Sequence, residues 1–374
     1  MRKLNIPFTI TIVSSLLCYS IPSVSATCTF SSNSTVKAQF HENMPLAIAN
    51  LTAGPDVPNG TILYRQTHRQ DGKTIQVGCS GSGTTFLDFK VESPGSNGVS
   101  SVAGIGLSNG NSGKVYNTNI PGIGIAFWFN FNNFDYRFYQ NGLTAASYQY
   151  DISLIKTGLI SPGAINTSTL PTISVSAGQE GATSLKVMTA SLSGSINIVS
   201  RTCTTPDVPV DLGVYKISDF PSIGSTSIWK DASIKLTNCP AFYGFYNLNG
   251  GDRYVSYSTN NDGTFNRNAT NVKNTLGYTL KPTGEIIDNS KGIISLSNTE
   301  GLTTAQGLGI QISTGTAADP LNPMSFNTLL SSGVTLASIE GASYTIPLKA
   351  RYYRTSSLTP GRADGSIIFT INYQ

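Results

Sequence analysis

Ile367-Ile368-Phe369-Thr370-Ile371-Asn372-Tyr373-Gln374 closes the sequence, and its alternation decides the fold class. Side chains on an extended chain point to opposite faces in turn, so Ile367, Phe369, Ile371 and Tyr373 share one face. The same period recurs upstream. Thr61–Tyr64, Thr84–Val91, Ile123–Phe131 and Ser193–Ile198 read as strands in the first half; Ile234–Leu236, Gly307–Ile312 and Ile346–Tyr353 do so in the second. Asn59-Gly60, Asp71-Gly72, Asn109-Gly110, Asn141-Gly142, Asn249-Gly250 and Asp262-Gly263 punctuate these runs with turns. No helical apolar pattern is sustained over three turns. Short strands with frequent turns and no helices predict an all-β chain of two β-sandwich domains.

Composition agrees. Of 374 residues only 12% are charged, and Gly 37 and Pro 18 suit a turn-rich chain. Hydrophobic residues make up 39%, enough to exclude charge-rich disorder. A formal net charge of +4 with no dense basic stripe argues against nucleic acid as a partner. The start reads as an export signal over residues 1–26: Arg2 and Lys3, an apolar run to Ile21, then Val24-Ser25-Ala26 as a small-residue cleavage site. Export exposes cysteines to an oxidising compartment. Beyond Cys18 of the leader stand Cys28, Cys79, Cys203 and Cys239, an even number that predicts disulfides. Four cysteines allow three pairings, of which Cys28–Cys79 with Cys203–Cys239 is the simplest. No CxxC pair occurs and His41 and His68 are far apart, so no metal and no cofactor is expected. Two early and two late cysteines suggest domains at 27–199 and 200–374, the boundary falling near Ile196–Cys203.

The second half carries spaced motifs in a fixed order. Cys203 leads to Val208-Pro209-Val210-Asp211-Leu212-Gly213, then Phe220, Gly224 and Ser227, then Ile234-Lys235-Leu236-Thr237-Asn238-Cys239-Pro240. Ala305–Ile312, Ala350-Arg351-Tyr352 and Thr359, Gly361 and Ala363 follow before the strand ending at Tyr373. This resembles the pilin domain of chaperone–usher fimbriae over residues 200–374. The resemblance implies an incomplete immunoglobulin-like sandwich that lacks its last strand. A hydrophobic groove beside Ile367, Phe369, Ile371 and Tyr373 would be filled by a periplasmic chaperone, then by the strand of an adjacent fimbrial subunit. Gln374 leaves no residues for a following strand, which fits that expectation.

A long segment ahead of such a domain resembles the layout of two-domain tip adhesins, delivered by an outer-membrane usher to the cell-surface fimbrium tip. Residues 27–199 would then be a lectin-like, receptor-binding domain for a host glycan or matrix protein. The alternative is a structural or initiating subunit without receptor binding. Leu192, Gly194, Ile196 and Ile198 alternate with polar residues, either closing the first domain or acting as a donor strand.

Two patches in the first half stand out. In Phe127–Tyr139 the face of Phe127, Phe129 and Phe131 reads as core. Trp128, Asn130, Asp135, Tyr136 and Arg137 supply a ring and hydrogen-bonding groups suited to a sugar, because a site built for hydroxyls discriminates well. Arg65, His68, Arg69 and Lys73 form a basic run that could attract an acidic glycan, or could keep a hairpin edge solvated. Enzymatic chemistry is not expected. No G-x-S-x-G elbow occurs, and Gly78-Cys79-Ser80-Gly81-Ser82 fails its last position.

Overall fold

The computed structural model describes residues 26–69, 73–102, 113–129, 132–142, 144–145, 149–244, 257–259, 265–267, 273–298 and 300–374. Every regular element among them is a strand apart from two single-turn 3-10 segments, Thr167–Thr169 and Ile217–Asp219. The principal strands of the first half are β1 (Ala26–Phe30), β2 (Phe40–Pro45), β3 (Asn50–Thr52), β4 (Ile62–Arg69), β5 (Ile75–Cys79) and β6 (Thr85–Ser93). They continue with β7 (Ile123–Phe129), β8 (Tyr136–Gln140), β9 (Gln149–Lys156), β10 (Thr172–Gln179), β11 (Leu185–Ser193) and β12 (Asn197–Val199). The second half holds β13 (Ile234–Cys239), β14 (Tyr257–Thr259), β15 (Leu276–Pro282), β16 (Ile293–Ser295), β17 (Gln306–Thr314), β18 (Ala342–Ile346), β19 (Leu348–Thr359) and β20 (Ile367–Tyr373).

One sheet of the first half runs β8-β6-β10-β11-β2, and another includes β14-β4-β9-β7. Their facing residues form one hydrophobic cluster from Cys28 to Ile198, with Phe89, Ile125, Phe127, Ile152 and Val175 at its centre. The second half packs β19-β17-β16 against β15-β20 and β13-β18 around a separate cluster from Cys203 to Tyr373. Each cluster contains one disulfide: Cys28–Cys79 and Cys203–Cys239, the local pairing. No described helix is long and apolar enough to cross a membrane.

Two strands read from the sequence as continuous are broken, each for a backbone reason. The run Ser193–Ile198 is split at Gly194, whose φ of +83° a residue with a Cβ adopts only under strain. On either side Leu192, Ile196 and Ile198 are buried in the first cluster, so β11 and β12 close the first half on itself. The run Ile346–Tyr353 is split at Pro347, which has no N–H for a ladder. The turns at 71–72, 109–110, 249–250 and 262–263 lie outside the described residues.

The halves meet along a hydrogen-bonded seam. Thr52 at the end of β3 donates its N–H to the Gly244 carbonyl at 3.1 Å, and its hydroxyl accepts from the Tyr243 N–H at 2.9 Å. Asn274 bridges the same point, donating to the Thr52 carbonyl at 3.3 Å and accepting from the Gly244 N–H at 2.9 Å. The Tyr373 N–H donates to Asp56 Oδ2 at 2.9 Å. In addition β14 pairs in parallel with β4, Ser258 opposite Thr67.

Candidate functional site

A cleft of about 960 Å³ opens between the sheets of the second half, bounded on one side by β20 and on the other by the segment around Asp207–Ile217. Leu212, Phe220, Leu280, Ile310, Leu348 and Tyr352 face it. All are buried in the hydrophobic cluster, so the cleft floor is core. Both rims carry unused backbone. β20 pairs with β15 on one side and with no other strand among the described residues. Residues 205–215 make no backbone–backbone hydrogen bond with any described residue, although Val208, Val210 and Leu212 point toward the apolar lining. Two half-satisfied edges either side of an apolar trough offer main-chain pairing and side-chain pockets together, the requirements of β-augmentation.

The four residues singled out on β20 divide between two roles. Ile367 and Phe369 are half-buried and line the cleft. Ile371 packs on the core beyond it. Tyr373 is buried: its hydroxyl accepts from the Cys203 N–H at 3.0 Å, and its ring stacks on Phe242 at 6.3 Å. The rim residues 207–217 are missing from the sequence reading of this site. Their signal was the Val208-Pro209-Val210-Asp211-Leu212 alternation itself.

In the first half the aromatic patch is dispersed. Trp128 is fully buried, packed with Val115, Ala126 and Ile155, so it offers no face to solvent. Asn130 lies outside the described residues. Asp135 is exposed, accepts from the Val91 N–H at 3.0 Å and pairs with Lys114 at 3.4 Å. Tyr136 is half-buried on β8. Arg137 grips Asp88 through two hydrogen bonds of 2.6 and 2.7 Å and lies 3.7 Å above the Phe86 ring. The Asp88 carboxylate holds the Arg137 pKa above its ordinary value, so this guanidinium is committed within the protein.

Two residues of the basic run, Arg65 and His68, are buried. Arg65 is 3% exposed and His68 5%. Lys73 pairs with Glu42 at 2.6 Å, and the Glu42 carboxyl is pulled down to about 2, first by its contact with His68 and then by Lys73. Arg65 instead pairs with Asp151 at 2.8 Å inside the protein. Alternation reports which residues share a face, and here the polar face is covered. Burial pushes the Asp151 carboxyl up against the opposing pull of Arg65 and Thr67. Among the described residues no group of three or more His, Cys, Asp or Glu is arranged to hold a metal.

Residues 190–374 match the family profile described as "Fimbrial protein". The chain is 27% identical over 345 residues to a fimbria adhesin protein of Klebsiella pneumoniae, covering 88% of this chain and 90% of that one. Among solved structures it aligns with the CupB6 tip adhesin of Pseudomonas aeruginosa at 15% identity and a TM-score of 0.34, covering 93% and 94% of the two chains. The receptor-binding domain of the adhesin MrkD1P of Klebsiella pneumoniae aligns at 23% identity and a TM-score of 0.30, over 48% of this chain and 98% of that one. The family match spans the disulfide Cys203–Cys239, the apolar cleft and the final strand, and residues 190–374 therefore form a domain of the fimbrial protein family.

Proposed function

We propose that this chain is a tip adhesin of a chaperone–usher fimbria: residues 27–199 bind a host receptor, and residues 200–374 hold that module on the fibre. The observation that carries the reading is the cleft beside β20, with an apolar floor and an unpaired backbone edge on each rim. An extended segment laid between residues 205–215 and β20 completes both edges and covers Ile367 and Phe369. A periplasmic chaperone supplies that segment first and an adjacent subunit replaces it, with the outer-membrane usher as the site of exchange. Resemblance along nine-tenths of a fimbria adhesin supports a receptor role for the first half. The receptor class we propose is a glycan, bound by hydrogen bonding to hydroxyls.

The test is an array of glycans and matrix proteins probed with the full chain, its cleft filled by a donor peptide. The full chain is required because β14 of the second half is part of the β4 sheet. Selective binding supports the adhesin; no binding to any glycan or protein favours a structural or initiating subunit.

A further inference from the structure

β20 pairs with β15 in an antiparallel ladder, and in such a ladder only alternate residues bond to the partner strand. The bonded set is fixed at both ends. The Thr283 N–H donates to the Ser366 carbonyl at 3.0 Å, and Thr275 and Gln374 exchange both bonds, at 2.7 and 3.0 Å. Between these ends Ile368, Thr370 and Asn372 therefore turn their backbone groups toward β15. Pro282 agrees with this phase: it stands opposite Ile367, where the ladder requires no N–H. The N–H and C=O groups of Ile367, Phe369, Ile371 and Tyr373 point the other way, to the open edge. At Ile367, Phe369 and Ile371 they make no hydrogen bond among the described residues. At Tyr373 both are covered by the first half. The N–H donates to Asp56 Oδ2 at 2.9 Å. Gly54 lies so close to the carbonyl that a Cβ at position 54 would sit 2.2 Å from its oxygen. Residues 54–56 are themselves fastened. Lys156, 2% exposed at the end of β9, donates from Nζ to the Gly54 carbonyl at 3.2 Å and to the Pro55 carbonyl.

We infer that Gly54 and Asp56 form a stop that fixes the register of the strand taken up by the cleft. This deepens the strand-addition reading above and rests on it. An incoming segment can pair with Ile367, Phe369 and Ile371, about 17 Å of β20. It cannot reach Tyr373 without displacing a hydrogen-bonded carboxylate and a loop held by a buried lysine. Register decides which side chains of the segment enter the cleft, because a slip of one residue turns every side chain to the opposite face. With one end of the edge blocked, a segment that fits the cleft when it halts level with Ile371 is accepted. One that fits only when it runs on past Tyr373 is rejected. The partner this geometry suits is an extended segment with apolar residues at alternate positions that ends, or turns away, level with Ile371. The first half thus helps to choose the polypeptide that is joined to the second.

Residue-resolved hydrogen exchange on the full chain tests the stop, with and without a peptide alternating isoleucine and threonine that is long enough to overrun β20. Thr370 and Asn372, bonded to β15 throughout, report any general stabilisation. Beyond that baseline, the peptide should slow Phe369 and Ile371 in wild type by about tenfold or more and leave Tyr373 unchanged. Asp56→Ala should speed exchange at Tyr373 in the empty chain, and the peptide should slow it again, because the freed N–H can then pair. Gly54→Ala should make Tyr373 respond to peptide in the same way with Asp56 intact, since its Cβ drives the loop off β20. Should Gly54→Ala fail to fold, Asp56→Ala, at an exposed position, decides alone. Slowing of Tyr373 by peptide in wild type, or no response of Tyr373 to peptide in Asp56→Ala, overturns the stop and leaves strand addition standing. No added protection at Phe369 and Ile371 removes strand addition, and the stop with it.

Discussion

Filling the cleft beside β20 with an extended peptide should raise the melting temperature of the second half. The perturbation is a synthetic peptide alternating isoleucine and threonine, compared with a reordered peptide of the same composition. The cleft holds about 960 Å³, and Ile367 and Phe369 on its wall are only half-buried when it is empty. Each apolar side chain that becomes fully covered contributes about 1.5–3 kcal/mol. What reaches thermal stability is set by mass action, about 2.7 kcal/mol when free peptide stands at one hundred times its Kd. A unit of this size moves by about 2–4 °C per kcal/mol, so the expected rise is roughly 5–10 °C. Scanning calorimetry on the full chain measures it. Phe369→Asp places a charge on the cleft wall and should abolish the rise while leaving β20 paired to β15. An equal rise with both peptides, no rise at saturation, or a full rise in Phe369→Asp would refute the reasoning.

Three further outcomes follow from contacts described above. Tyr373→Phe leaves the Cys203 N–H without its 3.0 Å acceptor and should cost about 1–3 kcal/mol in urea unfolding; an unchanged midpoint refutes the bond. Glu42 has its folded pKa lowered from 4.5 to about 2, so it contributes stability above pH 4.5 that disappears as pH falls toward 2. Wild type should therefore exceed Glu42→Gln in melting temperature at pH 6, and the two should converge near pH 2. Removing the bridge with Cys203→Ala and Cys239→Ala should cost about 2–5 kcal/mol; a double variant as stable as wild type contradicts a structural role.

Alternation recovered β4, β6, β7, β13, β17 and β20, because a half-buried strand records its two faces in period two, but β1, β2, β5, β9, β10 and β15 were not among the runs it picked out. It failed where one backbone position decides. Gly194 and Pro347 each interrupt a run whose side chains alternate across the break. The cysteine pairing was legible because each bridge closes a local loop, of 51 and 36 residues. One wall of the cleft was legible in Ile367 and Phe369; the opposite rim was quoted as a motif without being placed. The first half was less legible. Nothing local says that Arg137 faces Asp88, since that contact depends on the register of β8 against β6. Arg65 read as a surface charge because period two shows which residues share a face, while its partner Asp151 stands 86 residues away.

β20 does two jobs along a single short length of backbone. Its start, at Ile367 and Phe369, walls the cleft, and its finish, at Tyr373, is tied to Asp56 of the other half. A pull delivered by anything seated in the cleft enters this ribbon near one end and leaves near the other, directed along its axis. The ladder to β15 then resists in shear, with its rungs strained together rather than unzipped one by one. The geometry that leaves this edge vacant thus also makes it the tendon of the molecule.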